Sequence, residues 1–438
     1  MTAPRVNIPN PFAVPELKEK ILFTLLCLLI YRVGAHITVP GVNAQATLDF
    51  FRNQSGTLFG VYNLFVGGGL SRATVFALGI MPYISASIFF QIMGAVFPTV
   101  ERLQKEEEGR KKIAQWTRYL TIALAAAQGW GVTLFLEQLQ GAVANPGMGF
   151  RLLTTFFLAT GAVFVMWLGE QITERGLGNG MSLLIFFSIV ERILPGTLSI
   201  PDYLRTGALS FPRLVIFAAV LFGVVWVTVA IIVAARRIPI QIPRKVMGRG
   251  RIREGQKSFI PLRLLTANVM PIVFAQSIII VPATMAQFSN VSWMRDISEF
   301  FQPGTWFYYV LFSALIVFFT YFYTAIVFNP VDLSENLKKQ GGFIPGVKPG
   351  QKTADYIDQV LSRITLPGAL FLAAVAVLPQ ILLDSLKVPF AFGGTSLLIV
   401  VGVALDTVQQ LQQHMILRQY DSFMKQGRIR TRGRQRLM

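Results

Sequence analysis

The sequence predicts an all-α polytopic membrane protein, with ten transmembrane helices in two pseudo-symmetric inverted halves of five. Three observations carry that expectation. Of the 438 residues, 53% are hydrophobic and 14% are charged, and mean hydropathy is +0.54; an ordinary soluble domain is about 25% charged. Apolar runs of roughly 20 residues, the length that crosses about 30 Å of hydrocarbon, recur at 19–38, 74–97, 116–136, 152–171, 181–198, 212–234, 265–287, 306–328, 364–383 and 394–412. With the N-terminus inside, 31 of the 40 lysines and arginines fall in inner segments and 8 in outer ones, the bias that sets orientation in membranes. Both termini are therefore expected to be cytoplasmic.

The first run carries Arg32 and His36 near its far end and no clear small-residue cleavage site, so it reads as a retained span rather than a cleaved leader. Cys27, the one cysteine, lies mid-span and reads as a packed thiol, which excludes a disulfide within the chain. The second run begins loosely, in GGGLSRATVFALGIMPYISASIFFQIM (67–93). Each of Gly67, Gly68 and Gly69 costs a helix about 1 kcal/mol relative to alanine. Irregular backbone at membrane depth survives only inside protein or beside a wet cavity. Residues 60–72 are thus expected to form a short re-entrant piece, with the true span starting near Ala73. Beyond it Ile80 and Ile84, four apart, share a helix face.

Through the remaining spans no Asp, Glu, Lys or Arg is expected near a midpoint, since Arg32, Glu170 and Asp406 lie toward ends. A central charge costs roughly 2.5–3.5 kcal/mol and is kept chiefly for ion coupling or proton relay. In TERGLGNGMS, Gly176, Gly178 and Gly180 mimic a phosphate loop, but they join two spans rather than a strand and a helix, so they read as a tight turn. His36 and His414 are the only histidines. No catalytic group, metal site or cofactor site is expected, and the chain does not read as an enzyme. The longest connections are two inner loops, 235–263 and 329–363, with no soluble domain. An odd number of spans per half inverts the second half, dividing the chain into 1–200, 201–413 and a basic tail, 414–438.

Several stretches resemble the SecY family, the central channel subunits of the bacterial Sec protein translocase. They are ALGIMPYISASIFFQIM (77–93), GEQITERGLGNGMSLLIF (169–186), MPIVFAQSIIIVPATMAQF (270–288), ENLKKQGGFIPGVKPGQKTADYI (335–357) and FGGTSLLIVVGVALD (392–406). The resemblance implies a plug at Tyr62, Asn63, Leu64, Phe65, Val66, Gly67, Gly68, Gly69, Leu70, Ser71 and Arg72. It implies an aliphatic pore ring of Ile80, Ile84, Ile185, Ile189, Val273 and Ile399; Val273 departs from the isoleucine common there. Without the resemblance, each would read as ordinary packing. A ring of this kind excludes water and ions by dewetting. A lateral seam that releases hydrophobic segments to lipid is implied between spans 2–3 and 7–8, where Ser85, Ser87, Gln91, Gln128, Gln276 and Ser277 are polar. Contacts across such a seam are worth about 0.6 kcal/mol each.

On the inner face, RRIPIQIPRKVMGRGRIREGQK (236–257) and the tail GRIRTRGRQRLM (427–438) carry much of the net charge of +18. Attraction to anionic lipid accounts for part of it, at about 1 kcal/mol per basic residue. The resemblance implies that both large loops receive the ribosome and the motor ATPase SecA, through Arg249, Arg251, Arg253, Lys348, Pro349, Gly350 and Tyr420. Lys348 stands where relatives commonly carry arginine, keeping the charge but losing the planar fork. SecE and SecG are the implied membrane partners, and unfolded preproteins and signal sequences the implied substrates. No nucleotide-binding motif appears, so energy comes from a partner. The expected function is a protein-conducting channel of the cell inner membrane. The alternative is an inverted-repeat secondary transporter of a small solute, disfavoured by the lack of a midplane charge.

Overall fold

The computed structural model describes residues 14–53, 58–198, 200–206, 210–241, 246–247, 251–252, 257–266, 268–288, 301–302, 304–386 and 394–434. In chain order its helices are α1 (Pro15–Gly34), α2 (Ala44–Asn53), α3 (Leu58–Phe65), α4 (Met81–Val96), α5 (Pro98–Lys105), α6 (Glu107–Gln138), α7 (Met148–Arg175), α8 (Gly180–Leu198), α9 (Ile200–Arg205), α10 (Phe211–Val233), α11 (Met270–Phe288), α12 (Trp306–Val327), α13 (Pro330–Lys339), α14 (Gln351–Leu386) and α15 (Gly394–Arg434). A helix lies at each of the ten expected spans. Among the described residues, six helices are long and apolar enough to cross a membrane alone, and the α4–α5 pair, bent by 110°, adds a seventh. The apolar parts of α8 and α11, Gly180–Glu191 and Met270–Ile280, are shorter; Leu184, Ile185 and Ile189 of the first and Ile272, Val273 and Ala275 of the second are buried in protein. Outer helices do the reverse. α10 exposes Phe211, Val215, Ile216, Phe222, Trp226 and Val233, an apolar face too extensive for water and suited to lipid.

The span after the glycines begins at Met81, not near Ala73. Residues 66–80 are turns, with positive φ at Gly67, Gly68, Ala73 and Gly79. Backbone pairing holds them: Thr38 bridges Thr74, Val39 N–H donates to Ala73 O at 2.9 Å, and Val75 N–H to Ile37 O at 2.9 Å. Those bonds satisfy the buried backbone without a helix, and Pro82 then fits the first turn of α4, where no partner for its nitrogen is needed.

The reading of 235–263 as plain loop is also corrected. Strands β1 (Ala235–Gln241) and β4 (Lys257–Arg263) pair antiparallel from Ala235↔Arg263 to Gln241↔Lys257, with β2 (Val246–Met247) and β3 (Arg251–Ile252) pairing between them. Gln241 exchanges two backbone bonds with Phe343, at 2.9 and 3.0 Å, which ties this hairpin to the second long connection. Ile238, Ile240 and Leu262 then pack with Leu337, Ile344, Ile357, Val360, Leu361 and Ile364 into a hydrophobic core separate from the one between the spans. The two long connections therefore form one folded lobe. α14 begins inside it at Gln351, thirteen residues before the expected span at 364, and continues as one 36-residue helix through Leu386.

Candidate functional site

A cavity of about 170 Å³ opens between the helices. It is lined by Tyr83, Ile84, Ser87 and Gln91 of α4, Met181, Ser182 and Ile185 of α8, Val273 and Phe274 of α11, Tyr323 of α12 and Ile399 and Val403 of α15. The direction of each helix orders these residues. On α4 the lining runs from Gln91 up to Tyr83 and stops short of Ile80; on α8 it runs from Met181 to Ile185 and stops short of Ile189. All six expected ring residues are buried in one cluster, Ile399 and Ile189 at 0% and 1% exposure. Four of them, Ile84, Ile185, Val273 and Ile399, line the cavity, and Ile80 and Ile189 do not.

The 60–80 segment packs into the same cluster through Tyr62, Phe65, Val66 and Leu70. Gly67 packs so closely on α8 that a Cβ there would sit 3.2 Å from Ser188 Cβ, one residue from Ile189. Tyr62 donates its hydroxyl hydrogen to Leu78 O at 3.2 Å, two residues from Ile80. The aliphatic residues thus adjoin both the cavity, through Ile84, Ile185, Val273 and Ile399, and the buried, irregular segment. From Tyr62 to Ser71 every residue is buried. The segment satisfies itself internally: Asn63 Oδ1 accepts from Ser71 N–H at 3.0 Å, Asn63 O from Gly68 N–H at 2.8 Å, and Ser71 Oγ donates to Gly68 O at 2.9 Å.

The expected seam residues behave differently from one another. Ser85 donates to Met81 O at 3.1 Å, Gln91 to Ser87 Oγ at 3.1 Å and Ser277 to Val273 O at 2.8 Å, all within their own helices. Between α4 and α11, Ser277 Oγ also approaches Met81 Sδ at 3.7 Å. Gln276, 1% exposed, makes no well-formed hydrogen bond, its near polar neighbour being the Tyr308 hydroxyl; the Oε1 of Gln128 is likewise buried without a partner. The seam between α4 and α11 is mainly apolar packing with two under-satisfied amides beside it.

Of the expected partner-facing residues, Lys348 and Pro349 are exposed at the tip of the lobe. Gly350, at φ 102°, makes the turn into α14, and Thr353 Oγ1 fastens the tip by donating to Lys348 O at 2.9 Å. Arg249 and Arg253 lie outside the described residues; Arg251 opens β3 and Tyr420 sits on α15, and the side chains of both are likewise outside the description.

The expectation of no charge near a span midpoint fails at Glu191. It lies centrally in the run 181–198, its side chain is 12% exposed, and it pairs with Arg32 of α1. Its position at the end of the apolar stretch Gly180–Glu191 explains how it is tolerated: the span is shorter than the run suggested, and a cation meets the carboxylate. The pair Glu191–Arg192 in SIVERIL was the available signal. Sequence reasoning also missed Asn268, which takes φ 49° just before α11 and donates to Asp406 of α15 at 2.7 Å; asparagine ahead of an apolar run is the residue type that tolerates this conformation.

A family model described as SecY matches residues 74–408. The protein translocase subunit SecY of Escherichia coli K12 is 44% identical over 427 residues, 96% of each chain; that of Aquifex aeolicus is 42% identical over 421 residues, 94% of this chain and 98% of its own. The chain belongs to the SecY family. Solved structures agree in fold. A SecY channel described in terms of a plug domain that stabilises its closed state superposes with a TM-score of 0.66 at 17% identity, covering 93% of this chain and 97% of that one. Sec61 in a canine ribosome–channel complex superposes with a TM-score of 0.61 at 16% identity and the same coverage. These SecY relatives lend no support to the solute-transporter alternative.

Proposed function

We propose that this SecY-family chain passes unfolded secretory polypeptides through the aliphatic ring and releases hydrophobic segments sideways between α4 and α11. What supports the reading is that Ile84, Ile185, Val273 and Ile399 line an open cavity, and that all six aliphatic residues share a core with Tyr62, Phe65, Val66 and Leu70 of a segment hydrogen-bonded to itself. Ile80, Ile84, Ile185, Ile189, Val273 and Ile399 are the gasket, 62–72 is the plug, and Ser85, Ser87, Gln91, Gln128, Gln276 and Ser277 border the lateral exit. Dewetting by branched side chains blocks ions at rest, while the absence of donors and charges on the ring lets any sequence slide.

By the positive-inside rule the cavity and the β1–β4 lobe face the cytoplasm, in the inner membrane of a bacterial cell, with both termini inside. The halves 1–200 and 201–413 act as inverted clamshell halves around the ring. The lobe tip at Lys348, Pro349 and Gly350, with Arg249, Arg251, Arg253 and Tyr420, receives SecA or the ribosome, which supplies the energy; the chain itself performs no catalysis. SecE and SecG complete the membrane complex, and the basic tail meets anionic lipids.

The test is a secretory precursor stalled midway through the reconstituted complex, with a photo-crosslinker at its centre. Adducts at Ile80, Ile189 and Ile399 together are expected. Labelling confined to lipid-facing residues, such as those of α10, would overturn the reading.

A further inference from the structure

Outside the ring and the seam, a second cluster joins three parts of the chain. Arg32 near the end of α1, Arg72 at the end of the plug segment and Glu191 on α8 share one carboxylate oxygen: Glu191 Oε1 pairs directly with Arg32 and lies 4.0 Å from Arg72 Nη1. Arg72 is held from a second side by His36, whose Nε2 lies 2.9 Å from the same Nη1. The His36 Nδ1 is 2.9 Å from Arg32 O, so the tautomer with hydrogen on Nδ1 satisfies both contacts, with Nε2 accepting from Arg72. One turn back on α8, Ser188 meets Tyr31 OH at 2.8 Å and packs on Gly67.

We propose that Glu191 is a positioning residue for the closed state, an electrostatic latch that keeps the plug seated by holding Arg72 against Arg32 and α8. This rests on the channel reading and adds to it a residue outside the ring. The geometry separates a fixed arm from a releasable one. Arg32 closes on Glu191 directly, whereas Arg72 stands at 4.0 Å, attracted without a short bond. A charge pair at that spacing in a half-buried site is attractive yet can open without breaking a bidentate bond. Removing the carboxylate charge reverses the sign of the interaction, because it leaves two guanidinium groups facing each other with no anion between them.

The experiment uses the reconstituted translocase complex in vesicles. Glu191→Gln, nearly the same shape without the charge, is expected to raise resting anion efflux several-fold and to let a precursor lacking its signal sequence pass. Arg72→Gln should do the same. A cysteine pair, Gly67→Cys with Ser188→Cys, then ties the plug to α8. Under oxidation it should return the efflux of the Glu191→Gln complex to the wild-type level, and reduction should restore the leak. Unchanged efflux in Glu191→Gln, or a leak that persists with the disulfide formed, overturns the latch. The channel reading is judged separately, by whether the unmodified complex passes an intact precursor.

Discussion

At the scale of single residues, the ring and the glycines make opposite demands. Ile189 is buried next to Ser188, on which Gly67 packs, and on the channel reading Ile189→Ala is expected to leave a gap on one side of the gasket. In soluble cores such truncations cost about 2–5 kcal/mol; here the sharper readout is conductance, which should rise in planar bilayers while the protein still extracts and purifies as a monodisperse complex. An unchanged resting conductance would mean that Ile189 only packs. Gly180 is at the other extreme. A Cβ there would collide with Gly169 O and with Ile172 across the α7–α8 turn, and its N–H donates to Thr173 Oγ1 at 2.9 Å. Gly180→Ala is expected to destabilise the helix pair by about 1–3 kcal/mol, seen as a lower melting temperature in detergent. TERGLGNGMS was legible as a tight turn from its glycines alone. Glu191 was not, because the periodic apolar run continued past it and hid where burial by protein replaces burial by lipid.

At the scale of elements, the long apolar runs could be placed on sight, since a bilayer demands about 20 apolar residues whatever the fold. The lobe could not. ARRIPIQ buries Ile238 and Ile240 in strand alternation, but its prolines and charges read as loop, and the partners that bury those residues are about a hundred positions away on α13 and α14. Local pattern carries no record of such a partner. The six ring residues were placed only through family resemblance, because an isoleucine in a span is unremarkable until three-dimensional order puts a cavity on one side of it. The second core gives an element-scale expectation. Ile357 on α14 is fully buried there, so Ile357→Asp should unfold the lobe while sparing the spans. Protease should then cut between 235 and 357, binding of ribosomes and SecA should fall at least tenfold, and resting conductance should stay at the wild-type level. Undiminished binding would remove the lobe from the proposed docking surface.

At the scale of the whole molecule, the proposed passage and lateral release require α4 and α11 to part. Met81 Sδ and Ser277 Oγ approach each other across that line, at 3.7 Å. A complex carrying Met81→Cys and Ser277→Cys, bridged by a short bis-thiol reagent, is expected to bind precursors and to stop passing them, with transport restored by reduction. Full transport through the bridged complex would show that the seam does not need to open. Cys27 is buried, so the native thiol does not compete for the reagent.

The ring draws on α4, α8, α11 and α15, and its last member, Ile399, sits on the final helix to be synthesised. At about 5–20 residues per second, roughly 15–60 s separate the emergence of Ile80 from that of Ile399. During that interval the proposed pore is half built. The plug, by contrast, and the α8 surface that seats it, with Ser188 and Glu191, are all encoded in the first half. The order of the gene therefore delivers the stopper before the opening it must close, and a nascent channel need never pass through a stage in which the hole exists and its cover does not.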